Sequence, residues 1–438
     1  MSISRRLEGL PVIRFHYILL VTAGLGWMFD SMDTGIVSFV LPVLMKTWKL
    51  TSTQVGLISS IGLAGMALGA VLSGTFADYF GRKKVFASTL VMYSLATGLC
   101  GLSWDFNSLA IFRFLVGFGL GGQLPVAVTL VSEFSPAKNR GRFLVLLESF
   151  WAGGWLLAAL ISYLVIPKYG WQIAFFIGAL PALYVGYLWR AIPESPRYLE
   201  RKGRYDEADA IVRRLEEAAG INPKQEKISV SGTSSGKFPL AELFSRQYIR
   251  RTIFLWLLWF CIVYSYYGIF TWLPTLLAAN LPLVKSFEFV LLITLAQIPG
   301  YFSAAYLVEA LGRKITLASY LALCGVAAYF FGQATTTTDV LIWGSLMSFF
   351  NLGAWGIVYT YTPELYPTRA RASGAGWAAG FGRLGGILAP SVVGWMKSGN
   401  MGSPAIFLMF TTVLIIGALN VAILGEETKG RTLDELTS

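Results

Sequence analysis

The chain has 438 residues, of which 55% are hydrophobic, 15% aromatic and only 13% charged, with a formal net charge of +11 and a mean hydropathy of +0.60. Soluble domains carry about 25% charged residues and show amphipathic stripes; here the long runs are apolar all round, which excludes a soluble domain and indicates an all-α integral membrane protein. One histidine and three scattered cysteines (Cys100, Cys261, Cys324) lack metal-ligand spacing, so no metal and no other cofactor is expected.

Runs of about 20 apolar residues place six spans near 17–44, 53–77, 85–103, 107–131, 143–165 and 170–190. The first run is too long for the core of a signal peptide, with His16 at its interfacial edge. It carries Asp30 and Asp33, and a carboxylate at that depth costs several kcal/mol unless paired, neutralised or hydrated, so the two acids mark a pathway. The fourth span contains Arg113-Phe-Leu-Val-Gly-Phe-Gly-Leu-Gly121. Its glycines permit close approach of a neighbouring helix, expected to be the first span. Glu148, Trp151 and Trp155 lie in the fifth.

Residues 191–249 are polar, with an amphipathic stretch around 205–219 and a Ser/Gly-rich run at 229–236, which suits a solvated linker with short helices. Six more spans follow near 251–279, 287–310, 315–333, 339–362, 372–395 and 404–424. The expected organisation is an N-terminal bundle (1–190), a linker (191–249), a C-terminal bundle (250–425) and a tail (426–438).

The basic residues sit in alternate loops. Arg5, Arg6, Arg14, Arg82, Lys83, Lys84, Lys138, Arg140, Arg142, Arg313, Lys314, Arg369 and Arg371 fall on one side, against Lys46, Lys49, Lys168, Lys285 and Lys397 on the other. That bias places both termini in the cytoplasm of a cell-membrane protein and accounts for the charge without a nucleic-acid partner.

The halves also repeat. Gly74-Thr-Phe-Ala-Asp78-Tyr-Phe-Gly81-Arg82-Lys83-Lys84 after the second span has a weaker copy, Tyr306-Leu-Val-Glu309-Ala-Leu-Gly312-Arg313-Lys314, after the eighth. Glu133-Phe-Ser-Pro-Ala-Lys-Asn-Arg140 after the fourth matches Glu364-Leu-Tyr-Pro-Thr-Arg-Ala-Arg371 after the tenth. Such duplication implies two bundles around a midplane site. The glycines permit tight turns, and the acids and arginines are expected to form bridges that break when the halves rock.

In these motifs the chain resembles the major facilitator superfamily. Pro193-Glu194-Ser-Pro-Arg197-Tyr-Leu and Glu426-Glu427-Thr-Lys-Gly-Arg431 are similar to sugar-porter signatures, which adds Glu194 and Arg197 to the gate. The resemblance implies twelve transmembrane helices in two pseudo-symmetric six-helix bundles, alternating access and a monomer. In sugar porters an acid of span one and an arginine of span four form the proton-linked pair. Asp33 and Arg113 match them, so protons become a second partner. Asp30 resembles the second acid of aromatic-acid/proton symporters, with relay, substrate contact and packing all open.

The amides that hold a sugar are replaced. Glu148 and Trp155 stand where span five has glutamines in sugar porters, and span seven reads Trp256-Leu-Leu-Trp-Phe-Cys-Ile-Val-Tyr264-Ser-Tyr-Tyr267. Unpaired sugar hydroxyls would cost about 1–3 kcal/mol each. In their place, Trp151, Trp155, Tyr264, Tyr267, Trp355 and Tyr359 offer aromatic walls, worth about 0.5–1.5 kcal/mol per ring pair. Arg383 in mid-span requires an anion and fits a carboxylate bidentately, unless Glu148 or a span-one acid is its partner. Gln123, Asn351 and Ser265 offer hydrogen bonds.

These residues favour a small aromatic carboxylate. Leu147-Glu148-Ser-Phe-Trp151-Ala, Ser265-Tyr-Tyr-Gly268, Leu295-Ala-Gln-Ile-Pro-Gly-Tyr-Phe-Ser-Ala-Ala305 and Ser348-Phe-Phe-Asn351-Leu-Gly-Ala-Trp355-Gly resemble bacterial niacin transporters, which implies nicotinate. The alternatives are a proton symporter of benzoate-type acids and a drug/proton antiporter, the latter opposed by Arg383. No nucleophile–base arrangement supports an enzyme.

Overall fold

The computed structural model describes residues 3–136, 139–221, 243–246, 248–366 and 371–429, apart from the side chains of residues 4, 5, 371 and 372. The Ser/Gly-rich run at 229–236 and most of the expected tail lie outside that description. A bilayer offers no water to free backbone groups, so an open chain spans it as helix. The described elements are all helical.

After a short α1 (Ile3–Glu8), the first half comprises α2 (Arg14–Thr47), α3 (Ser52–Phe80), α4 (Arg82–Gly101), α5 (Phe106–Phe134) and α6 (Arg140–Tyr169), then a sixth span broken into α7 (Trp171–Ala179) and α8 (Pro181–Ala191). The linker carries α9 (Pro196–Arg201) and α10 (Tyr205–Ala218). The second half has α11 (Ile249–Ala278), a span broken into α12 (Leu283–Leu295) and α13 (Gln297–Leu311), α14 (Arg313–Gln333), α15 (Thr337–Glu364), α16 (Arg371–Ser398) and α17 (Ser403–Leu424). Pro299 has no N–H to continue the ladder through the α12–α13 break. Among the described residues, eleven spans are long and apolar enough to cross a membrane. The remaining one, α16, has 28 residues, but its glycines and Arg383 dilute its hydropathy.

One sequence offset superposes the halves. The shift that carries Gly81 onto Gly312 also carries Thr47 onto Ala278, Ser52 onto Leu283, Phe80 onto Leu311, Phe106 onto Thr337 and Arg140 onto Arg371, each a helix boundary. The caps repeat as well. Asp105 accepts from Ser108 N at 2.8 Å at the start of α5, and Thr336 accepts from Asp339 N at 3.1 Å at the start of α15.

The tightest repeat lies at the Gly81/Gly312 end, here termed the basic end. Glu194 accepts from the backbone N–H groups of Arg82 (3.0 Å), Lys83 (3.2 Å) and Ser195 (2.9 Å). Glu427 does the same for Arg313 (2.9 Å), Lys314 (3.1 Å), Thr428 (2.9 Å) and Lys429 (2.9 Å). Each carboxylate therefore sits on a helix N-terminus, where free N–H groups and the helix dipole favour an anion. Burial would raise the Glu427 carboxyl, but these amide hydrogen bonds outweigh it and hold it below the ordinary glutamate range. Glu194, expected as a gate bridge, thus acts on backbone amides.

The glycines of α5 do bring a helix close, but the partner is the second span and not the first. A Cβ at Gly117 would lie 1.9 Å from Gly62 O and one at Gly121 2.0 Å from Met66 O; Gly65 and Gly69 meet α5 carbonyls at 2.3 and 2.0 Å. Glycines face each other on both helices, which is why α3 outcompetes α2 for this contact. His16 is buried and not interfacial: its Nδ1 accepts from Ile13 N at 3.0 Å and its Nε2 lies 3.1 Å from Phe134 O, fastening α2 to α5. The amphipathic α10 turns Ala208, Val212 and Leu215 inward, and Arg6 of α1 pairs with its Asp209 and Glu216 at 2.5 and 2.7 Å.

The bundles meet most closely away from the basic end. Ser60 Oγ donates to Ile387 O at 2.5 Å, Ser391 Oγ to Ser60 Oγ at 2.8 Å, and the Thr53 and Ser398 hydroxyls lie 2.8 Å apart. Toward the basic end, Tyr301 OH donates to Val145 O at 2.9 Å.

Gly81 and Gly312 have φ of +107° and +101°, and a Cβ on either would meet a glutamate oxygen at 2.3 or 2.4 Å. Gly81→Ala and Gly312→Ala are each expected to lower stability by about 1–3 kcal/mol, read as a lower unfolding temperature in detergent.

Candidate functional site

Two polar centres lie inside the bilayer-spanning part. In the first, Arg113 Nη1 of α5 donates to Asp33 Oδ2 of α2 at 2.8 Å, and Thr97 Oγ1 of α4 donates to Asp33 Oδ1 at 2.5 Å. Asp33 is wholly buried and Arg113 4% exposed. The sequence-matched pair is therefore formed, with both carboxylate oxygens satisfied, as a charge out of water requires. Arg113 Nε makes no hydrogen bond, with Cys100 of α4 facing the guanidinium. Asp30 is as buried, yet neither of its oxygens makes a hydrogen bond; the Tyr93 hydroxyl of α4 faces it without reaching hydrogen-bond geometry.

The second centre lies between the bundles. Tyr266 of α11 is its hub: Trp151 Nε1 donates to the Tyr266 hydroxyl at 2.8 Å, and its ring lies 6.1 Å from Trp155, 5.1 Å from Trp355 and 5.6 Å from Tyr267. Trp27 lies tilted 4.6 Å from Trp151, and Tyr359 lies 6.2 Å from Trp355. Arg383 of α16 enters this region, its Nη1 donating to Met66 Sδ at 3.1 Å and to the Tyr267 hydroxyl at 3.4 Å. Among the described residues no carboxylate forms an ion pair with Arg383. Glu148, buried on α6 with Trp27 beside it, feels the Arg383 charge without pairing to it.

The structure thus brings together Trp151, Trp155, Tyr267, Trp355, Tyr359, Glu148 and Arg383. Four nominated residues lie apart: Tyr264, Gln123, Asn351 and Ser265. The Tyr264 hydroxyl donates to Met409 Sδ at 3.2 Å and its ring stacks on Phe260, so it points away from the other rings. Gln123 Nε2 donates to Phe86 O at 3.3 Å inside the first bundle. Asn351 Nδ2 is held by Ser265 Oγ (3.3 Å) and Cys324 Sγ (3.6 Å) inside the second. Tyr266 and Trp27 escaped the sequence reading. Most of α11 from Leu258 to Leu277 is buried, so no apolar stripe marks which face of Tyr264–Tyr267 meets the other bundle.

The charged residues of the basic end pair within their own halves. Arg82 meets Asp78 at 2.8 Å and Glu133 at 3.6 Å, and Arg313 meets Glu309 at 3.1 Å and Glu364 at 3.2 Å. Ser195 Oγ donates to Glu133, and Thr428 Oγ1 donates to Glu364 at 2.5 Å. Arg140 and Arg197 share Glu8 at 3.2 and 2.8 Å. The Arg371 side chain lies outside the described residues.

The sequence matches the Sugar (and other) transporter family over residues 22–438. It is 56% identical to the niacin transporter NiaP of Acinetobacter baylyi over 438 residues, covering 100% of both chains. It is 29% identical to the benzoate transport protein of the same organism, covering 97% of this chain and 93% of that one. In fold it is similar to the inward-open xylose transporter XylE of E. coli, with a TM-score of 0.77 at 19% identity, covering 96% and 99%.

Arg113→Ala leaves the Asp33 carboxylate buried and uncompensated, and is expected to destabilise the protein by about 3–5 kcal/mol. The Asp33→Asn/Arg113→Ala double variant is expected to be more stable than Arg113→Ala alone. Thermal unfolding of the four proteins in detergent completes the cycle, and strictly additive losses would contradict the pairing.

Proposed function

The chain belongs to the Sugar (and other) transporter family, a multi-pass membrane transporter and not an enzyme, and from that premise we propose that it imports nicotinate by alternating access in symport with protons. The observation that carries this reading is Arg383: a guanidinium between the bundles that touches the Tyr267 hydroxyl at the edge of the Trp and Tyr cluster, with no carboxylate paired to it among the described residues. Its present partners, a thioether and a phenol, are neutral. A charge at that depth gains most from an anion, and its planar fork suits a carboxylate. The surrounding rings suit a flat heteroaromatic ring. Nicotinate has both parts.

The 56% identity to a niacin transporter supports nicotinate over benzoate, whose transporter is 29% identical. A cationic drug is disfavoured by the same arginine. Proton coupling rests on the Asp33–Arg113 pair: a proton on Asp33 would cancel the charge that holds Arg113 and free it to move. Asp30, buried beside it with no hydrogen bond, is the second acid of the path. The charge bias of the loops puts the basic end and both termini in the cytoplasm. The intra-bundle bridges of that end, with Asp78, Arg82, Glu133, Glu309, Arg313 and Glu364, would stiffen each half as it rocks. The protein acts as a monomer in the cell membrane, since each chain carries both bundles of the site.

Arg383→Ala is expected to weaken nicotinate binding to the purified protein by about 10- to 150-fold; unchanged affinity removes the carboxylate clamp. In proteoliposomes, Asp33→Asn is expected to lose uptake driven by an inward proton gradient while keeping nicotinate exchange. Undiminished gradient-driven uptake removes Asp33 from the coupling.

A further inference from the structure

A small cavity joins the two polar centres. It measures about 20 Å³ and is lined by Ser59, Gly62 and Met66 of α3, Thr34 of α2, Arg113 of α5 and Tyr267 of α11. Three of its lining side chains are already engaged elsewhere: Arg113 grips Asp33, and the Tyr267 hydroxyl and Met66 Sδ accept from Arg383. Two lining atoms are unsatisfied. Ser59 Oγ and Arg113 Nε have no hydrogen-bond partner, and their residues are 7% and 4% exposed. A serine inside a helix usually bonds back to its own turn; Ser59 does not. The volume exceeds the ~10–15 Å³ that one water needs and falls far short of a substituted ring.

We propose that this cavity holds one water molecule, bonded to Ser59 Oγ, Arg113 Nε and the Tyr267 hydroxyl, and that this water couples the Asp33–Arg113 pair to the Arg383 anion site. The water accepts from Arg113 Nε–H and ties Ser59 and Tyr267 together, so it spans the two bundles at the point where they must separate. When Arg113 leaves Asp33, the water loses a donor, Tyr267 is released and the hold of Tyr267 on Arg383 changes. The titratable and charged groups facing Arg113 and Tyr267 are Asp33 and Asp30 of α2, Cys100 of α4, Glu148 of α6, Tyr266 of α11, Tyr359 of α15 and Arg383 of α16. Ser59 is a positioning residue here, and Gly62 keeps the space open. The inference rests on the proton-coupled reading above.

Two substitutions test it in different ways. Ser59→Ala removes a water partner and leaves the volume. Gly62→Ala removes the volume without a clash, because its Cβ would lie 3.5 Å from Arg113 O and 3.8 Å from Arg113 Nε. The full-length protein is reconstituted in proteoliposomes, and labelled nicotinate is followed both as accumulation under an imposed proton gradient and as exchange without one. Both variants are expected to lose accumulation by about five-fold or more, with exchange kept within about two-fold of the unsubstituted protein. Accumulation equal to that of the unsubstituted protein in both variants overturns the proposal, as does a parallel loss of exchange, which would make the site structural. If the unsubstituted protein exchanges nicotinate but ignores the gradient, the coupled reading itself falls.

Discussion

A charge taken out of water must be compensated within the fold, and the Asp33–Arg113 pair shows how much structure that requires. Asp33 is reached by Arg113 from α5 and by Thr97 from α4, so three helices must be held in fixed register for one carboxylate. The glycines of α3 and α5 supply that register: with carbonyls about where a Cβ would stand, α5 cannot rotate without collision. The scaffold around this pair is therefore stiff. Neutralising the carboxylate changes one interaction and leaves the scaffold that positions Arg113 intact.

At the basic end the two halves solve one problem twice. A positive-φ glycine ends each long helix, the next helix starts at once, and a glutamate from a later segment satisfies its free amides. Glu194 and Glu427 arrive from different sequence contexts, one in the linker and one after the last span. Their equivalence was legible only in part, because the signature residues were visible while their backbone partners were not. Charged side chains read from sequence suggest salt bridges; helix N-termini compete for the same carboxylates, and here they win Glu194 and Glu427.

What could be read in advance follows the strength of the physical signal. Spans were legible because a 20-residue apolar run has few other uses, and their ends shifted by only a few residues, most of them outward. Asp33 with Arg113 was legible because each is costly alone. The aromatic wall was harder. Apolar periodicity distinguishes a face only when another face is polar, and much of α11 is buried, so Tyr264 was chosen and Tyr266 was missed. Gln123 and Asn351 look like ligands in sequence, but a buried amide within one bundle is satisfied by the nearest carbonyl or hydroxyl. The partner of the α5 glycines was misjudged for a related reason: small residues announce close contact without naming the helix that makes it.

The repeat also shows where the halves were free to diverge. The offset that carries Gly81 onto Gly312 and Glu133 onto Glu364 carries Asp33 onto Tyr264, Arg113 onto Gly344, and Arg383 back onto Ala152. The basic end is duplicated, whereas the polar groups at mid-depth are not. Two copies of a buried acid–arginine pair would double the desolvation cost without adding a second path. Two arginines facing the space between the bundles would repel each other and compete for one carboxylate. The asymmetry leaves an acid–base pair anchored in the first bundle and an anion-seeking charge anchored in the second. Only a contact that crosses between the bundles can make one answer to the other, and at that depth Tyr267 and Met66, both touching Arg383, stand at the crossing.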